Sequence, residues 1–320
     1  MTALARALVA LAAAAWTGVA AAQYPAKPVR LVVPFAPGGS TDIVGRIVAQ
    51  RLGERWGQAV VVENKPGAAT TIGNDYVAKS PADGHTLLLA PAPFVITQFL
   101  YPKLPYDGRR DFAPVALVAT TPFVIVAHPS VPANDVPGLV ALGRAKPGAV
   151  NYASPGSGSV PHLAMELFKL RAGVDFTHIP YKGGGPAVSD VVGGQVSLLF
   201  SPPIEVWQHV KAGRLKVLGA TTAQRIPTLP DVPTLQEAGF PGYEVFTWFG
   251  VFVPAATPRD TVLRIAAEVG RVLEVPDVRE KLAGQGAEVA FRPPDDFARF
   301  LAGEYEKWGF AVQVAGVKID

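Results

Sequence analysis

A chain of 320 residues is long enough for two domains, and with 49% hydrophobic residues it must bury a core, which excludes a disordered segment. Its 29 Lys and Arg nearly balance 26 Asp and Glu, and no basic stripe is present, so a nucleic-acid partner is not expected. The absence of cysteine removes disulfides, thiolate catalysis and Cys-ligated metals.

Met1 to Ala22 carries one Arg, an apolar stretch from Ala7 to Trp16, and Ala20-Ala21-Ala22 before Gln23. That pattern reads as a cleavable export signal over residues 1–22, too short in its apolar part for a stable membrane span. A mature chain starting near Gln23, without a long apolar run or a lipid-bearing Cys, is expected to be soluble and periplasmic.

The run Val29–Val33 reads as a strand, and Ile43–Leu52 as an amphipathic helix. Between them lies Pro34-Phe35-Ala36-Pro37-Gly38-Gly39-Ser40-Thr41-Asp42. Such a strand–turn–helix aims unpaired backbone N–H groups and the positive end of a helix dipole at one small volume, which suits an anion. A plain tight turn is the competing reading. Further strands are expected at Ala59–Glu63 and Thr86–Leu89, with a helix over Ile72–Lys79. The third strand runs into Ala90-Pro91-Ala92-Pro93-Phe94, either a cleft wall that brings Ala92 and Pro93 to a ligand or a proline-stiffened connection.

Phe112 to Val126 holds two apolar runs split by Thr120-Thr121-Pro122 and reads as the crossing into a second lobe. There, strands are expected near 150–152, 176–179, 196–200 and 216–220, and helices over 139–145, 160–170, 186–192 and 204–211. The segment Tyr152-Ala153-Ser154-Pro155-Gly156-Ser157-Gly158-Ser159 repeats the strand, Pro-Gly turn, helix arrangement. Two such turns facing across a cleft can close on one acidic ligand. The chain returns through the aromatic strand Val245–Val253, followed by helices over 259–273, 276–284 and 294–315. The expected fold is therefore α/β. Two lobes, 23–122 plus 245–320 and 123–244, are each a mostly parallel sheet flanked by helices, with two crossover strands as hinge.

The segments Val61-Val62-Glu63-Asn64-Lys65-Pro66-Gly67, Ala82-Asp83-Gly84-His85-Thr86, His178-Ile179-Pro180-Tyr181-Lys182-Gly183 and Trp248-Phe249-Gly250, in order with both turns, resemble the receptor family of tripartite tricarboxylate transporters, the Bug proteins. The resemblance covers Tyr24 to Asp320. It implies a periplasmic, two-lobed Venus-flytrap receptor of the type II class that captures a small carboxylate for membrane permease subunits. It implies contacts from Phe35, Gly38, Gly39, Ser40, Thr41 and Asp42 on one lobe. On the other it implies Ser154, Gly156, Ser157, Gly158, Ser159 and His162, then Tyr181, Lys182 and Gly183. No cofactor is implied, and a monomer is expected. Presentation of the closed form to a sensor protein is an alternative.

The sequence departs from the family at Phe200-Ser201-Pro202-Pro203, where many relatives carry Asp or Asn in place of Ser201. In amino-acid-binding members such an acid meets the ligand's ammonium, so Ser201 argues against an amino acid. A mono- or dicarboxylate with an apolar body is the expected ligand.

Lys182 can pair with a carboxylate or be a solvated loop lysine. His162 can touch the ligand, but a structural role is the preferred reading. Asp42 reads as an acid of the first helical turn and secondarily as a water-mediated contact. Trp248 and Phe249 read as core rather than as a stacking platform. Catalysis is disfavoured: no G-x-S-x-G elbow, H-E-x-x-H pair or phosphate-binding G-x-x-x-x-G-K-[ST] is present.

Overall fold

A computed structural model describes residues 24–181 and 183–317; the export signal read over residues 1–22 and the loop lysine Lys182 lie outside the described residues. In chain order the first part is β1 (Val29–Val33), α1 (Ser40–Trp56), β2 (Val60–Asn64), a 3-10 turn (Ala68–Thr70), α2 (Thr71–Ala78), β3 (Thr86–Pro91), α3 (Pro93–Leu100) and β4 (Phe112–Pro122). The middle part is β5 (Val124–Ala127), α4 (Val136–Ala145), β6 (Asn151–Ser154), α5 (Val160–Ala172), β7 (Thr177–Pro180), α6 (Gly184–Val192), β8 (Leu198–Ser201), α7 (Pro203–Lys211) and β9 (Lys216–Ala220). The last part is β10 (Phe246–Pro254), α8 (Arg259–Glu274), α9 (Pro276–Gly284), β11 (Glu288–Arg292) and α10 (Pro294–Ala315).

The strands form a six-stranded sheet in the order β11-β4-β10-β3-β1-β2 and a five-stranded sheet in the order β7-β6-β8-β5-β9. This is the two-lobed α/β architecture expected, with one correction. The sheets are mixed rather than mostly parallel. β1 runs parallel to β2 and β3, and β6 to β7 and β8, but β10 opposes β3 and β4, and β5 opposes β8 and β9. The reason lies in the crossings. The parallel strands β1, β3, β6 and β8 end at the cleft, whereas β5 and β10 enter their sheets from that side and so run against them.

Two further elements differ from the sequence reading. Pro91–Phe94 is not a stiff connection, because Pro93 opens α3, where its missing N–H and fixed φ suit the first helical turn. The short β11 adds an edge strand to β4.

One core packs α1, α8 and α9 on the first sheet through Leu31, Val48, Val251 and Ile265. A second runs without interruption from Phe94, Trp248 and Phe297 to Tyr152, Phe168 and Phe200 in the other lobe. Its bridge is α10, which packs on both α3 and α5. Inside it, Glu304 accepts hydrogen bonds from the indole N–H groups of Trp248 and Trp308 at 2.7 and 2.8 Å and pairs with Lys307. Trp248 is therefore core, as its sequence context implied. Among the described residues no helix is long and apolar enough to cross a membrane.

Candidate ligand-binding cleft

β1 delivers the chain into the first Pro-Gly turn. Gly38 adopts φ +88°, a conformation that disfavours other residues, and its N–H donates to the Asp42 carboxylate at 2.8 Å. Asp42 also accepts from Arg46 Nε and Asn64 Nδ2, each at 2.9 Å, and the Asn64 amide donates to the Phe35 carbonyl at 3.0 Å. Burial pushes the Asp42 pKa up, but the hydrogen bonds from Arg46, Gly38 and Asn64 outweigh it, so the carboxyl sits below its ordinary range. Asp42 is thus an ionised brace behind the turn. Asn64 and Arg46, which fix it, carry no site signal in the sequence.

The second turn is braced by histidines. The Ser154 hydroxyl lies 2.7 Å from His178 Nε2 and exchanges hydrogen bonds with the backbone of Gly156. The Gly158 N–H donates to His162 Nδ1 at 3.0 Å, and the two imidazoles stack with centroids 3.9 Å apart. Because Nδ1 accepts a backbone N–H, His162 is neutral. Burial, with the charges of His178 and Lys169, lowers its pKa from 6.5 to about 3. Burial likewise lowers His178.

Between the sheets lies a cavity of 460 Å³. Phe35, Gly39, Ser40 and Thr41 line it from the first turn, Pro93 from α3, and Ser159 from the second turn. Thr247 and Phe249, two apart on β10 and so on one face, form part of its floor, together with Phe123 of the crossing. Phe249 is thus both core and cavity wall. Sequence reasoning passed over Phe123 and Thr247, which look like ordinary strand residues, and Glu205, which looks like a first-turn acid.

The remaining expected contacts are not part of the lining. Gly38, Asp42, Gly156, Gly158 and His162 shape the two turns, and Ala92 is fully buried beside Pro93. Ser157 is exposed outside the cavity lining. Tyr181 donates its hydroxyl to Asp190 at 2.6 Å, and the Gly183 N–H donates to the Pro155 carbonyl at 3.0 Å. Ser201 is buried and donates to Glu205.

Five helices, α1, α3, α5, α6 and α7, bring their N-terminal turns to this cavity, and none of the five has a side-chain cap. Uncapped N-termini leave N–H donors and positive dipole ends available. Among the described lining residues there is no Lys or Arg, and among all described residues no His, Cys, Asp and Glu cluster fit for a metal. An anion here would be held by neutral dipoles, between apolar walls from Phe35, Phe123, Phe200 and Phe249.

Known proteins share this fold. The chain is 39% identical to Protein BugT of Bordetella pertussis over 303 residues, which covers 94% of this chain and 93% of BugT. The solved structure of R. palustris Rpa4515 with adipate superposes with a TM-score of 0.79 at 36% identity, covering 92% of this chain and 99% of that one. MatC from Rhodopseudomonas palustris with bound malate gives a TM-score of 0.75 at 34% identity, covering 90% and 100%. The family model for the tripartite tricarboxylate transporter family receptor matches residues 44–317. By sequence and by fold, the chain belongs to the tripartite tricarboxylate transporter receptor family.

Proposed function

We propose that this protein is an extracytoplasmic solute receptor that captures a small carboxylate between its lobes and delivers it to a tripartite tricarboxylate-type membrane permease. The observation that carries the reading is the convergence of five uncapped helix N-termini from both lobes on one cavity with no basic side chain among its described lining. The adipate and malate in the two neighbouring structures support a carboxylate as the ligand class. In this reading residues 23–122 plus 245–320 form one lobe and 123–244 the other. Residues 1–22 direct export, and the receptor works in the periplasm as a monomer that leaves its ligand chemically unchanged. Ligand contacts come from Gly39, Ser40 and Thr41 on one side and Ser159 with the start of α5 on the other. Contacts made by both lobes favour the closed form only when the ligand bridges them.

Native mass spectrometry of the exported protein, followed by calorimetry with mono-, di- and tricarboxylates and amino acids, tests this. A stoichiometric carboxylate, or binding of one member of the panel, is the expected result. An empty protein that none of the panel stabilises overturns it.

A further inference from the structure

In a cleft built for an anion, Glu205 is the one ionisable side chain among the described lining residues. Its carboxyl accepts a hydrogen bond from Ser201 Oγ at 3.2 Å, and Oε2 lies 2.9 Å from where a Cβ on Gly184 would stand. The side chain as a whole is exposed to the cleft, yet its carboxyl end is tucked against these groups. Burial accordingly raises its pKa, while the Ser201 hydrogen bond acts the other way. A Cβ built on Gly286 of the first lobe would stand 3.3 Å from the Cβ of the preceding Ile204, so the start of α7 lies close to that lobe. A first-turn acid satisfies its helix dipole equally well from the solvent side. Here it faces the ligand space.

A carboxylate ligand entering alone would meet five positive helix ends and one opposing carboxylate. A ligand with a positive second end turns that repulsion into a charge-assisted hydrogen bond. Phe35, Phe123, Phe200 and Phe249 supply an apolar wall suited to a hydrocarbon spacer between two such ends. Ser201 alone argues against an ammonium-bearing ligand. In the structure, however, its hydroxyl donates to Glu205, an acid placed four residues later.

We propose, resting on the receptor reading above, that Glu205 recognises a protonated amine at the second end of the ligand, so that this cleft takes an amino carboxylate. The carboxylate end sits at the uncapped N-termini of α1 and α5, and the ammonium end donates to Glu205.

Calorimetry at neutral pH with three six-carbon probes, hexanoate, adipate and 6-aminohexanoate, tests this on the wild type, E205Q and E205D. The wild type is expected to bind 6-aminohexanoate more tightly than adipate. E205Q should lose about tenfold or more for the amine and bind adipate as well or better, and E205D should recover part of the amine binding. Equal thermal midpoints show that the variants are folded. An unchanged ratio of amine to adipate affinity in E205Q overturns the inference. So does a uniform loss for all three probes, which is the signature of a Glu205 that only holds a neighbouring loop. If adipate or hexanoate binds and the amine does not, Glu205 recognition falls and the receptor reading stands. Binding of none of the three, with no hit in the wider carboxylate panel, overturns both.

Discussion

Thr221 and Phe123 grip each other where the chain passes between the lobes: the Thr221 N–H donates to the Phe123 carbonyl at 3.0 Å, and the Phe123 N–H donates to the Thr221 hydroxyl at 3.1 Å. The same hydroxyl donates to the carbonyl of Val245 on the return crossing, and the Val245 N–H donates back to the Thr221 carbonyl at 3.0 Å. One buried threonine thus couples both crossings, and Phe123 is also cavity wall. Thr221→Val preserves shape but leaves the Phe123 N–H without its partner in a dry site. A loss of about 1–3 kcal/mol is expected, read as a lower midpoint in urea unfolding. A midpoint equal to the wild type would mean that the two crossings hold together without this hydroxyl.

Gly39 separates a binding effect from a folding effect. Its φ of −79° is open to any residue, and an added Cβ would find nothing nearer than the Ala36 carbonyl oxygen at 4.0 Å. Gly39→Val should keep the thermal midpoint and weaken carboxylate binding on the order of tenfold, by holding the ligand off the main chain. Wild-type affinity would sink the role given to these amides.

The histidine brace makes stability depend on pH. With the folded-state pKa of His162 lowered from 6.5 to about 3 and that of His178 lowered too, the unfolded chain takes up protons that the folded chain resists. For His162 stability is therefore full above about pH 6.5 and falls as pH drops toward 3, by at most about 1.4 kcal/mol per pH unit, and His178 acts in the same direction. His162→Gln should flatten the decline between pH 7 and 5 in urea midpoints. Parallel profiles for variant and wild type would refute this account.

The buried Glu304 carboxylate anchors two indoles. Glu304→Ala leaves the Trp248 and Trp308 N–H groups and the Lys307 ammonium without it, so a loss of about 3–5 kcal/mol is expected in denaturant unfolding. Glu304→Gln keeps one acceptor and should lose less. Equal losses for the two variants would show that the acceptor atoms contribute nothing beyond volume.

The layers of the fold were legible because the apolar runs have clear strand and helix periods: Val29–Val33 and Pro276–Gly284 fall where their patterns put them. Strand direction was not, since the opposed course of β5 and β10 depends on where the crossings lie and not on any local pattern. The two turns were visible as Pro-Gly-Ser segments, but what braces them was not. Asn64 reaches Asp42 across 22 positions, and His178 reaches Ser154 across 24, contacts that only the parallel pairing of neighbouring strands creates. Glu205 was hidden for a related reason: a first-turn acid looks alike whether its helix points into a cleft or into solvent.

β10 comes late in the chain yet occupies the middle of the first sheet, between β3 and β4. β1, β2 and β3 pair among themselves by Pro91, but β4 joins them only through residues 246–254, while the five strands from β5 to β9 are complete by Ala220. Contacts closed over so long a stretch of chain form slowly, so the middle segment should gain protection from hydrogen exchange before β4 and β10 do. A polypeptide made in that order completes its middle sheet while its first sheet still lacks a central strand.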